Sequence, residues 1–483
     1  MTQHLQHFIN GEHAESSDCA RLNLFNPVNE QLYATAASGT VHDVDRAVRA
    51  AHAQSRGGAW SKLNGAHRAV LLNKLAALVE RDLEILADMD SSAIGRSPME
   101  PRMMDVPNAV ANFRAAAGWA NQLEGRTIPT GGYMGVRTLS YTVREPLGVV
   151  AAIVPWNSPL MITTWKLAPL LAAGCTVVIK PAEETPQSAL HLAKLCREAG
   201  FPDGVVNVVM GVGDVVGSAL CAHPLVSKIS FTGSPQAGAA IQRIAAPLFK
   251  RVTLELGGKS PQIVFDDASF DDAVRGCAMG LFINQGQVCA AGSRILVQRG
   301  IAKRFSAALA QAAQSVTVGD PRQEGIQMGP VAKKAQYERV NRYIQRGIDE
   351  GAALLAGGVT ESASGWFVKP TIFANATNAM SIAREEIFGP VGTIIEFDSE
   401  EQAIELANDS DYGLAATVWT SQIARAHKVA GALQVGAVGV NCWSPLDANL
   451  PWGGLKSSGI GREGGFLGAL AYTEEKVITV LLP

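Results

Sequence analysis

The sequence predicts an α/β protein that combines a Rossmann-like parallel sheet, a second α/β domain and a small β arm. The chain has 483 residues, too many for one compact core, so two or three domains are expected. From Leu147 onward, short apolar runs alternate with helix-length segments, a pattern typical of βαβ units in a parallel sheet. Two strand-like segments, at 125–145 and 476–482, stand outside this alternation.

The first hundred residues precede the alternating region. Short strands and turns are predicted around Phe8–Glu12 and Phe25–Pro27. One helix is expected from about Val41 to Gln54 and another from about Ala66 to Ile94, where leucines recur near the helical period. Charged residues occupy the other side of the second helix, so we expect that side to face solvent.

The segment 125–145 and the C-terminal segment are predicted to form the arm. Glycines punctuate the first of them, and its later part, Val136–Val143, has the composition of a strand, so we expect a projecting hairpin. The C-terminal residues Lys476–Leu482 predict a strand with an apolar edge. Such edges are usually paired, and a neighbouring subunit is the expected partner.

The predicted parallel sheet brings four chemically useful residues to one edge. Trp156, Lys180, Gly233 and Glu255 fall at or just after the ends of its strands. Parallel sheets bind ligands beyond the carboxyl ends of their strands, so a binding site is expected there. The strands are predicted at 147–154, 175–179, 205–209, 228–231 and 251–254.

A second α/β block follows Gln262 and contains Cys289. The site is therefore expected between two domains, where ligand sites often form. The strands of this block are predicted near 294–298, 393–397, 415–419 and 437–441.

Charge and composition narrow the class of protein. The 41 basic and 44 acidic residues nearly balance, which argues against a nucleic-acid partner or an anionic membrane. No signal peptide is apparent, and the longest apolar run, 167–179, is shorter than the roughly 20 residues of a membrane span. Seven scattered cysteines favour a reducing, cytoplasmic location. No histidine or cysteine spacing resembles a zinc site, so no metal is predicted.

Cys289 is the candidate nucleophile. It lies in the stretch Asn284–Ala290 among small and amide side chains, with no second cysteine near enough for a metal or redox pair. Glu255, which begins the stretch Glu255–Pro261, is the candidate for activating water. A thiol that attacks and a carboxylate that activates water are the minimum for covalent acyl chemistry. The alternative is that Cys289 is a buried structural cysteine.

Asn157 is the candidate donor to an oxyanion. It lies on the turn Pro155–Pro159, where prolines restrict the backbone, and it would act together with the backbone N–H of Cys289. The alternative, which is commoner for such residues, is an asparagine that satisfies the backbone of the turn.

Two stretches are candidates for binding a dinucleotide. Lys180 and Glu183 have the spacing to hold the paired hydroxyls of an adenosine ribose, although a surface salt bridge is the alternative. A carboxylate there repels a 2′-phosphate and favours NAD over NADP. In Phe231–Gly238, Ser234 starts a helix whose N–H groups would receive a phosphate. Gly211–Gly217 lacks the GxGxxG spacing, and an ordinary strand-to-helix turn is preferred there.

Taken together, seven motifs make the chain similar to the NAD(P)-dependent aldehyde dehydrogenases. They occur in the order and at the separations of that superfamily, and the similarity runs from about Phe8 to the C-terminus. One such motif would be weak, whereas seven together are highly specific. The motifs are Pro155–Pro159, Lys180–Pro186, Phe231–Ser234, Glu255–Pro261, Gly286–Arg294, Glu385–Val391 and Pro451–Lys456.

The resemblance implies three structural parts and a set of partners. The expected partners are a small-molecule aldehyde, NAD with NADP as an alternative, and further copies of the chain in a homodimer or homotetramer. The implied parts are an NAD-binding domain of residues 1–123 and 146–256, a catalytic domain of residues 257–457, and an oligomerisation arm of residues 124–145 and 470–483.

The resemblance also implies roles for individual residues. Cys289 would be the nucleophile, Asn157 the oxyanion donor and Glu255 the base that hydrolyses a thioester. Enzymes of the superfamily that pass the acyl group to coenzyme A generally lack this glutamate, so hydrolysis is favoured. Lys166 and Glu463 would relay protons. The implied cofactor-binding residues are Trp156, Lys180, Glu183, Gly233, Ser234, Gly257, Glu386 and Phe388.

The residues that match the substrate tunnel of relatives are mostly apolar or aromatic, and they include Trp165, Val288, Trp443 and Trp452. With no arginine among them, a hydrophobic aliphatic or aromatic aldehyde is predicted. Trp165 and Trp452 would alternatively hold a quaternary ammonium, as in betaine-aldehyde enzymes, although Ser158 stands where those usually carry another aromatic residue. A cysteine esterase without redox chemistry and a non-catalytic binding protein are the alternatives from other classes.

Overall fold

The computed structural model describes residues 3–443 and 446–482. Two large sheets built mainly of parallel strands carry helices on their faces, and an antiparallel sheet forms a third part. The predicted α/β class is confirmed. Among the described residues, no helix has both the length and the apolar composition needed to cross a membrane.

Strands and helices alternate along most of the described chain. The strands are β1 (Gln3–Leu5), β2 (His7–Ile9), β3 (Glu12–Ala14), β4 (Arg21–Phe25), β5 (Leu32–Ala37), β6 (Thr127–Ile128), β7 (Thr138–Pro146), β8 (Val149–Ile153), β9 (Thr176–Lys180), β10 (Val206–Val208), β11 (Val226–Thr232), β12 (Arg251–Glu255), β13 (Pro261–Val264), β14 (Arg294–Gln298), β15 (Ala353–Ala356), β16 (Thr371–Ala374), β17 (Val391–Phe397), β18 (Tyr412–Gly413), β19 (Ala415–Trp419), β20 (Ala437–Val440), β21 (Leu455–Lys456), β22 (Gly459–Ile460) and β23 (Thr473–Leu481). The helices are α1 (Val41–Ser55), α2 (Gly65–Arg81), α3 (Leu83–Ile94), α4 (Val106–Trp119), α5 (Pro159–Ala173), α6 (Gln187–Ala199), α7 (Ser218–Ala222), α8 (Pro235–Ala245), α9 (Phe270–Phe282), α10 (Arg299–Ser315), α11 (Lys334–Asp349), α12 (Ser381–Arg384), α13 (Glu400–Asn408), α14 (Ile423–Ala432) and α15 (Gly465–Leu470).

The first large sheet has the strand order β22-β12-β11-β8-β9-β10-β2-β3. Strands β8 to β12 run parallel, whereas β22 and the β2–β3 hairpin add antiparallel strands at the two edges. Val150 and Ala152 of β8 pack into one apolar cluster, and Val149 and Ala151 pack into the cluster on the opposite face. The sheet is therefore buried on both faces, which explains its nearly continuous apolar strands. Its five predicted strands are confirmed to within two residues.

The second large sheet has the strand order β15-β16-β17-β14-β13-β19-β20. All of its neighbouring strands are parallel except the β15–β16 pair. The four strands predicted for this block are confirmed as β14, β17, β19 and β20. The predicted domain boundaries stay a prediction, and β22, which follows the second sheet in the chain, pairs with β12 of the first.

The arm is an antiparallel sheet of the order β23-β7-β6. The C-terminal strand β23 pairs with β7 over nine residue positions, from Thr473 opposite Pro146 to Leu481 opposite Thr138. One edge of β23 is thus covered within the chain. The other edge pairs with no strand in the described residues, and Val477 there is 63 % exposed. Pairing with a neighbouring subunit stays a prediction.

The single helix predicted from Ala66 to Ile94 was wrong, because the structure divides it into α2 and α3 at Asp82. Asp82 has φ −92° and ψ 21°, outside the helical range. Its carboxylate accepts a hydrogen bond from Arg81 Nε at 2.7 Å and lies 2.7 Å from His191 Nε2. The leucine period continues across this break, so the period did not reveal it.

Candidate active site

The carboxyl edge of the first sheet carries the four residues expected there. Lys180 ends β9 and Glu255 ends β12. Gly233 directly follows β11, and its N–H donates to the Glu255 carbonyl oxygen at 3.0 Å. Trp156 lies just beyond β8. Because these strands run parallel, one edge of the sheet presents all four.

Cys289 follows a loop with an unusual backbone. Helix α9 ends at Phe282, and the next turn contains three consecutive residues with positive φ: Asn284 at 49°, Gln285 at 55° and Gly286 at 69°. Each non-glycine residue in this left-handed region costs on the order of 1–3 kcal/mol. The loop therefore persists only because its surroundings hold it.

Buried amide side chains hold this loop. The Asn284 side chain donates from Nδ2 to the Asn157 carbonyl oxygen at 2.7 Å. Gln287 donates from Nε2 to Gln285 Oε1 at 3.1 Å, and its own Oε1 accepts from the Ala332 N–H at 2.9 Å. The amide-rich composition that surrounds Cys289 thus stabilises the strained backbone before it.

Asn157 is tied to the same loop. Its Nδ2 donates to the Gln287 carbonyl oxygen at 2.9 Å, and the residue is buried. An amide group carries two N–H donors. Among the described residues the second donor has no protein acceptor, so it is available to an oxygen atom of a substrate.

Two cavities meet at Cys289. The first is a cleft of about 320 Å³ whose walls include Trp156, Ser234, Lys333 and Phe388. The second is a narrow pocket of about 60 Å³ that is lined by the first half of α5 and by the segment between α3 and α4. Cys289 and Asn157 line both cavities and are the residues that the two have in common. A thiol at such a junction can contact one ligand from each side.

The environment of Cys289 disfavours its ionisation. Burial raises the pKa of the Cys289 thiol to about 12, and the nearby carboxylates of Glu386 and Glu255 act in the same direction. The group is therefore a thiol at neutral pH. For this sulfur to act as a nucleophile, a base would have to take its proton, because the thiolate is the nucleophilic form.

Glu255 is suited to be that base. It is buried, and neither of its carboxylate oxygens has a hydrogen-bond partner in the described protein. Burial first and the charge of Glu463 second raise its pKa well above the ordinary value, against the opposite effects of Lys166 and Arg462. A carboxylate with unused lone pairs and a raised pKa readily accepts a proton from a thiol or from water.

Lys166 and Glu463 form a fully buried ion pair near Glu255. Their Nζ and Oε1 atoms are 2.6 Å apart, and Ser230 Oγ donates to the same Glu463 oxygen at 2.6 Å. Lys166 Nζ also lies 3.2 Å from Ser230 Oγ. The predicted relay residues are therefore joined to each other, and their charges act on Glu255.

The predicted phosphate and ribose residues lie along the carboxyl edge of the first sheet. Ser234 caps α8, where its Oγ accepts from the Ala237 N–H at 3.2 Å. Lys180 Nζ lies 3.2 Å from Glu183 Oε1, and the Gly213 N–H donates to that oxygen at 2.8 Å. The Gly213 backbone thus fixes the Glu183 carboxylate beside Lys180.

The remaining predicted cofactor residues surround the inner part of the cleft. The Gly258 N–H donates to Glu386 Oε1 at 3.1 Å, and burial raises the pKa of Glu386 to about 7. A Cβ on Gly257 would lie 2.2 Å from Glu386 Oε2, so only glycine permits this close approach. Phe388, with φ 61°, packs edge-on against Trp156 with ring centroids 5.3 Å apart.

The second pocket contains the predicted substrate residues. Trp165, Val288, Trp443 and Trp452 all line it. Trp443 Nε1 donates to the Ala290 carbonyl oxygen at 3.2 Å, and the rings of Trp165 and Trp452 lie 6.1 Å apart. The tryptophans make the pocket narrow and its walls largely apolar.

The sequence analysis missed the charged residues of this pocket, Arg96, Glu100 and Asp105. Arg96 forms an ion pair with Asp105, and its Nη2 lies 3.6 Å from Asp90 Oδ2. The one signal in the sequence is the close spacing of charged residues after α3. In the described part of the chain, no group of three His, Cys, Asp or Glu residues is placed to hold a metal ion.

Glu100 links this pocket to the Cys289 loop. Its Oε1 and Oε2 accept from the Asn284 N–H at 3.4 and 3.2 Å. Burial raises the pKa of Glu100 to about 7. Among the described residues that line this pocket, Glu100 is thus the carboxyl group that no ion pair neutralises, on a background of aromatic side chains.

Comparisons with known proteins point to one family. The sequence model described as the aldehyde dehydrogenase family matches residues 13–478. Aldehyde dehydrogenase 1A1 of Gallus gallus is 45 % identical over 478 residues, which cover 99 % of this chain and 93 % of that protein. The NAD⁺ complex of aldehyde dehydrogenase from Bacillus cereus is 43 % identical with a TM-score of 0.97, over 100 % of this chain and 97 % of the other. Betaine aldehyde dehydrogenase from Staphylococcus aureus, in complex with NAD⁺, is 37 % identical with a TM-score of 0.96, over 99 % and 95 %.

The reactivity of Cys289 is expected to rise steadily with pH. Because its pKa is about 12, the thiolate fraction should increase about tenfold per pH unit between pH 7 and 10. The rate of alkylation by iodoacetamide measures this fraction, in a protein whose exposed Cys19 and Cys442 are replaced by serine. The same protein with Cys289→Ala gives the background rate. A plateau near pH 8 would contradict the raised pKa.

Gly286→Ala is expected to displace the Cys289 loop. Its added Cβ would lie 2.3 Å from the Gly389 carbonyl oxygen, and φ of 69° strains any side chain. We expect kcat to fall by about 10²-fold, as for other misplacements near 1 Å, together with a lower Tm. Gly118→Ala is the matched control, since Gly118 lies in α4 with no atom within 4 Å of an added Cβ. Wild-type kcat in Gly286→Ala would show that the loop conformation is dispensable.

Proposed function

Because the chain belongs to the aldehyde dehydrogenase family, we propose that it oxidises a predominantly apolar aldehyde to the carboxylic acid with NAD⁺, through a thioester on Cys289 that water hydrolyses. Its class is that of an NAD(P)-dependent aldehyde dehydrogenase. One observation carries the mechanism: Cys289 and Asn157 line both the large cleft and the narrow pocket. Cofactor and aldehyde would therefore meet at the sulfur.

The first step is addition of the Cys289 sulfur to the aldehyde carbon. The thiol proton passes to a base, for which Glu255 has free carboxylate oxygens and a raised pKa. The aldehyde oxygen becomes an oxyanion, which receives the second Nδ2 hydrogen of Asn157 and the backbone N–H of Cys289. One such donor typically contributes about 3–4 kcal/mol to the transition state.

The cleft and the neighbouring carboxyl edge of the first sheet carry residues whose chemistry fits NAD⁺. Lys180 and Glu183 would hold the adenosine ribose, and the capped start of α8 at Ser234 would hold the pyrophosphate. Glu386, placed beside Gly257, would hold the nicotinamide ribose, while Phe388 and Trp156 bound the inner end. When bound there, NAD⁺ supplies the hydride acceptor that brings the adduct to the oxidation level of an acid.

Hydrolysis of the thioester completes the reaction. Glu255 takes a proton from water, the resulting hydroxide adds to the thioester carbon, and the sulfur leaves as the acid is released. The proton can move on because the buried Lys166–Glu463 pair lies near the Glu255 carboxylate. Glu183 favours NAD⁺ over NADP⁺, since a fixed carboxylate beside the ribose repels a 2′-phosphate.

The narrow pocket supports a slender, uncharged aldehyde as the substrate. Its tryptophan walls offer apolar contact area, and the one arginine among its described lining residues, Arg96, forms ion pairs with Asp105 and Asp90. A carboxylate or phosphate on the substrate would therefore find no free cation among these described residues. An aliphatic or aromatic aldehyde fits this lining best.

A cationic aldehyde is the second candidate, supported by Glu100. Its carboxyl group lines the same pocket as Trp165, Trp443 and Trp452, and aromatic faces together with a carboxylate attract a quaternary ammonium. The similarity to a betaine aldehyde dehydrogenase supports the same idea. We favour the apolar substrate, because burial raises the pKa of Glu100 to about 7 and so leaves much of it uncharged at neutral pH.

A homodimer or homotetramer is the proposed assembly. The outer edge of β23 pairs with no strand among the described residues, and Val477 and Leu481 on it are more than half exposed. Open apolar edges of this kind are normally covered by another chain.

Glu255→Gln is expected to stall the enzyme as the thioester. Loss of the base should lower kcat by about 10²- to 10⁴-fold. The redox step should still yield about one NADH per subunit, but in a slower burst than in the wild type, because Glu255 also takes the thiol proton in the first step. Stopped-flow absorbance measures the burst, and intact-mass analysis detects the acyl group on Cys289. Glu324→Gln, at an exposed turn, is the control. Cys289→Ala should produce no NADH. If this variant retained activity, the proposal that Cys289 is the nucleophile would be refuted.

A substrate panel separates the two candidates. We expect kcat/KM for hexanal and benzaldehyde to exceed that for betaine aldehyde and succinic semialdehyde by at least about tenfold, the factor that corresponds to 1.36 kcal/mol in the barrier. NAD⁺ should serve better than NADP⁺ with every substrate. A preference for betaine aldehyde that Glu100→Gln abolishes would instead establish the cationic substrate.

A further inference from the structure

One ion pair at the edge of the cofactor cleft has no part in the reaction described above. Lys333 Nζ lies 2.6 Å from Glu184 Oε1, and both side chains are half-buried. Glu184 belongs to the turn that follows β9 of the first sheet, whereas Lys333 immediately precedes α11. The pair therefore joins the turn after β9 of the first sheet to the start of α11, beside the cleft that a dinucleotide would enter.

Lys333 lines the cleft itself. The cleft is also lined by Gly233 and Ser234, which start α8, and by Trp156. The ammonium of Lys333 lies 5.5 Å from the ring centroid of Trp156. The segment that would receive the pyrophosphate and this cation thus border the same space.

The other charged groups of the cleft are already engaged. Arg339 donates to the carbonyl oxygens of Glu386 and Ile387, and the Glu386 carboxylate accepts from the Gly258 N–H. Lys333 differs from them because its partner is a side chain that can be exchanged. Glu184 Oε2, the second oxygen of that partner, is buried without a hydrogen-bond partner in the described protein.

We propose that Lys333 binds the pyrophosphate of the dinucleotide, and that Glu184 competes with the pyrophosphate for its ammonium. This inference rests on the proposed use of NAD⁺. A pyrophosphate carries two negative charges, and an ammonium forms strong charge-assisted hydrogen bonds with phosphate oxygens. When Lys333 moves from Glu184 to the phosphate it exchanges one anionic partner for another and is never left unpaired. Glu184 thereby weakens the binding of the cofactor and hastens its release.

The alternative is that the ion pair only braces the two segments against each other. The direction in which each of two mutations changes the Kd for NAD⁺ distinguishes competition from bracing. Under competition, Lys333→Gln should raise the Kd for NAD⁺ by about tenfold, since it removes a charge-assisted hydrogen bond to the pyrophosphate, while Glu184→Gln should lower the Kd several-fold. Under bracing, both mutations should change the Kd in the same direction. In the double variant, Glu184→Gln should have no further effect, because its influence acts through Lys333.

Isothermal titration calorimetry without aldehyde measures these constants, and intrinsic tryptophan fluorescence supplies a second reading. Lys334→Gln is the matched control, since it removes the same charge from the next, exposed residue. Lys333→Arg keeps the positive charge and should retain most of the affinity for NAD⁺. If Lys333→Gln does not fold, comparison of Lys333→Arg with Lys333→Arg/Glu184→Gln tests the competition instead. Titrations with ADP-ribose and adenosine locate the effect: Lys333→Gln should weaken ADP-ribose and leave adenosine unchanged.

The outcomes separate this inference from the proposed function. If the wild-type protein binds no NAD⁺, the proposed function itself fails. If it binds NAD⁺ but Lys333→Gln changes the Kd no more than Lys334→Gln does, Lys333 is not a pyrophosphate ligand. If Lys333→Gln and Glu184→Gln both weaken NAD⁺, the pair is a brace and the competition is refuted.

Discussion

The active site depends on a strained loop that amide side chains hold in place. Three consecutive residues with positive φ, Asn284 to Gly286, precede Cys289. Hydrogen bonds from the side chains of Asn284 and Asn157 tie this loop to the turn after β8. The Glu100 carboxylate accepts a hydrogen bond from the Asn284 backbone N–H. The same Asn157 is therefore both a support for the loop and the proposed donor to the oxyanion. Positioning of the sulfur and stabilisation of the developing charge are thus joined in one network.

Burial determines how the two reacting groups share a proton. In water a thiol and a carboxyl group differ widely in pKa, so transfer from Cys289 to Glu255 would be strongly unfavourable. In this site burial raises the pKa of both groups, and each carboxylate nearby raises that of the thiol further. A thiol with so high a pKa is protonated at neutral pH, which protects Cys289 from oxidation and alkylation. Reactivity then depends on what occupies the two cavities.

The sequence was most informative where local chemistry and sheet geometry agree. Lys180, Gly233 and Glu255 could be placed at one edge because parallel strands align their carboxyl ends, and apolar runs located those strands to within two residues. The break at Asp82 could not be predicted, because the apolar period of the helix is the same on both sides of it. The pairing of β22 with β12 joins segments two hundred residues apart and has no local signal.

The charged side of the substrate pocket was missed for a related reason. Arg96, Glu100 and Asp105 follow α3, far in the chain from Cys289, and only packing of that segment under the Cys289 loop brings them to the site. Residue type alone did not distinguish them from surface charges. The residues within motifs could be found because each motif is a short continuous stretch of sequence whose residues lie together in the site.

The two cavities have consequences for how such an enzyme can diversify. Of the residues that the structure describes, only Cys289 and Asn157 line both, so the far walls of the narrow pocket can change without replacing a residue that lines the dinucleotide cleft. Lineages that exchange a tryptophan of this pocket for a smaller residue would acquire new aldehydes while keeping the redox partner of their ancestor.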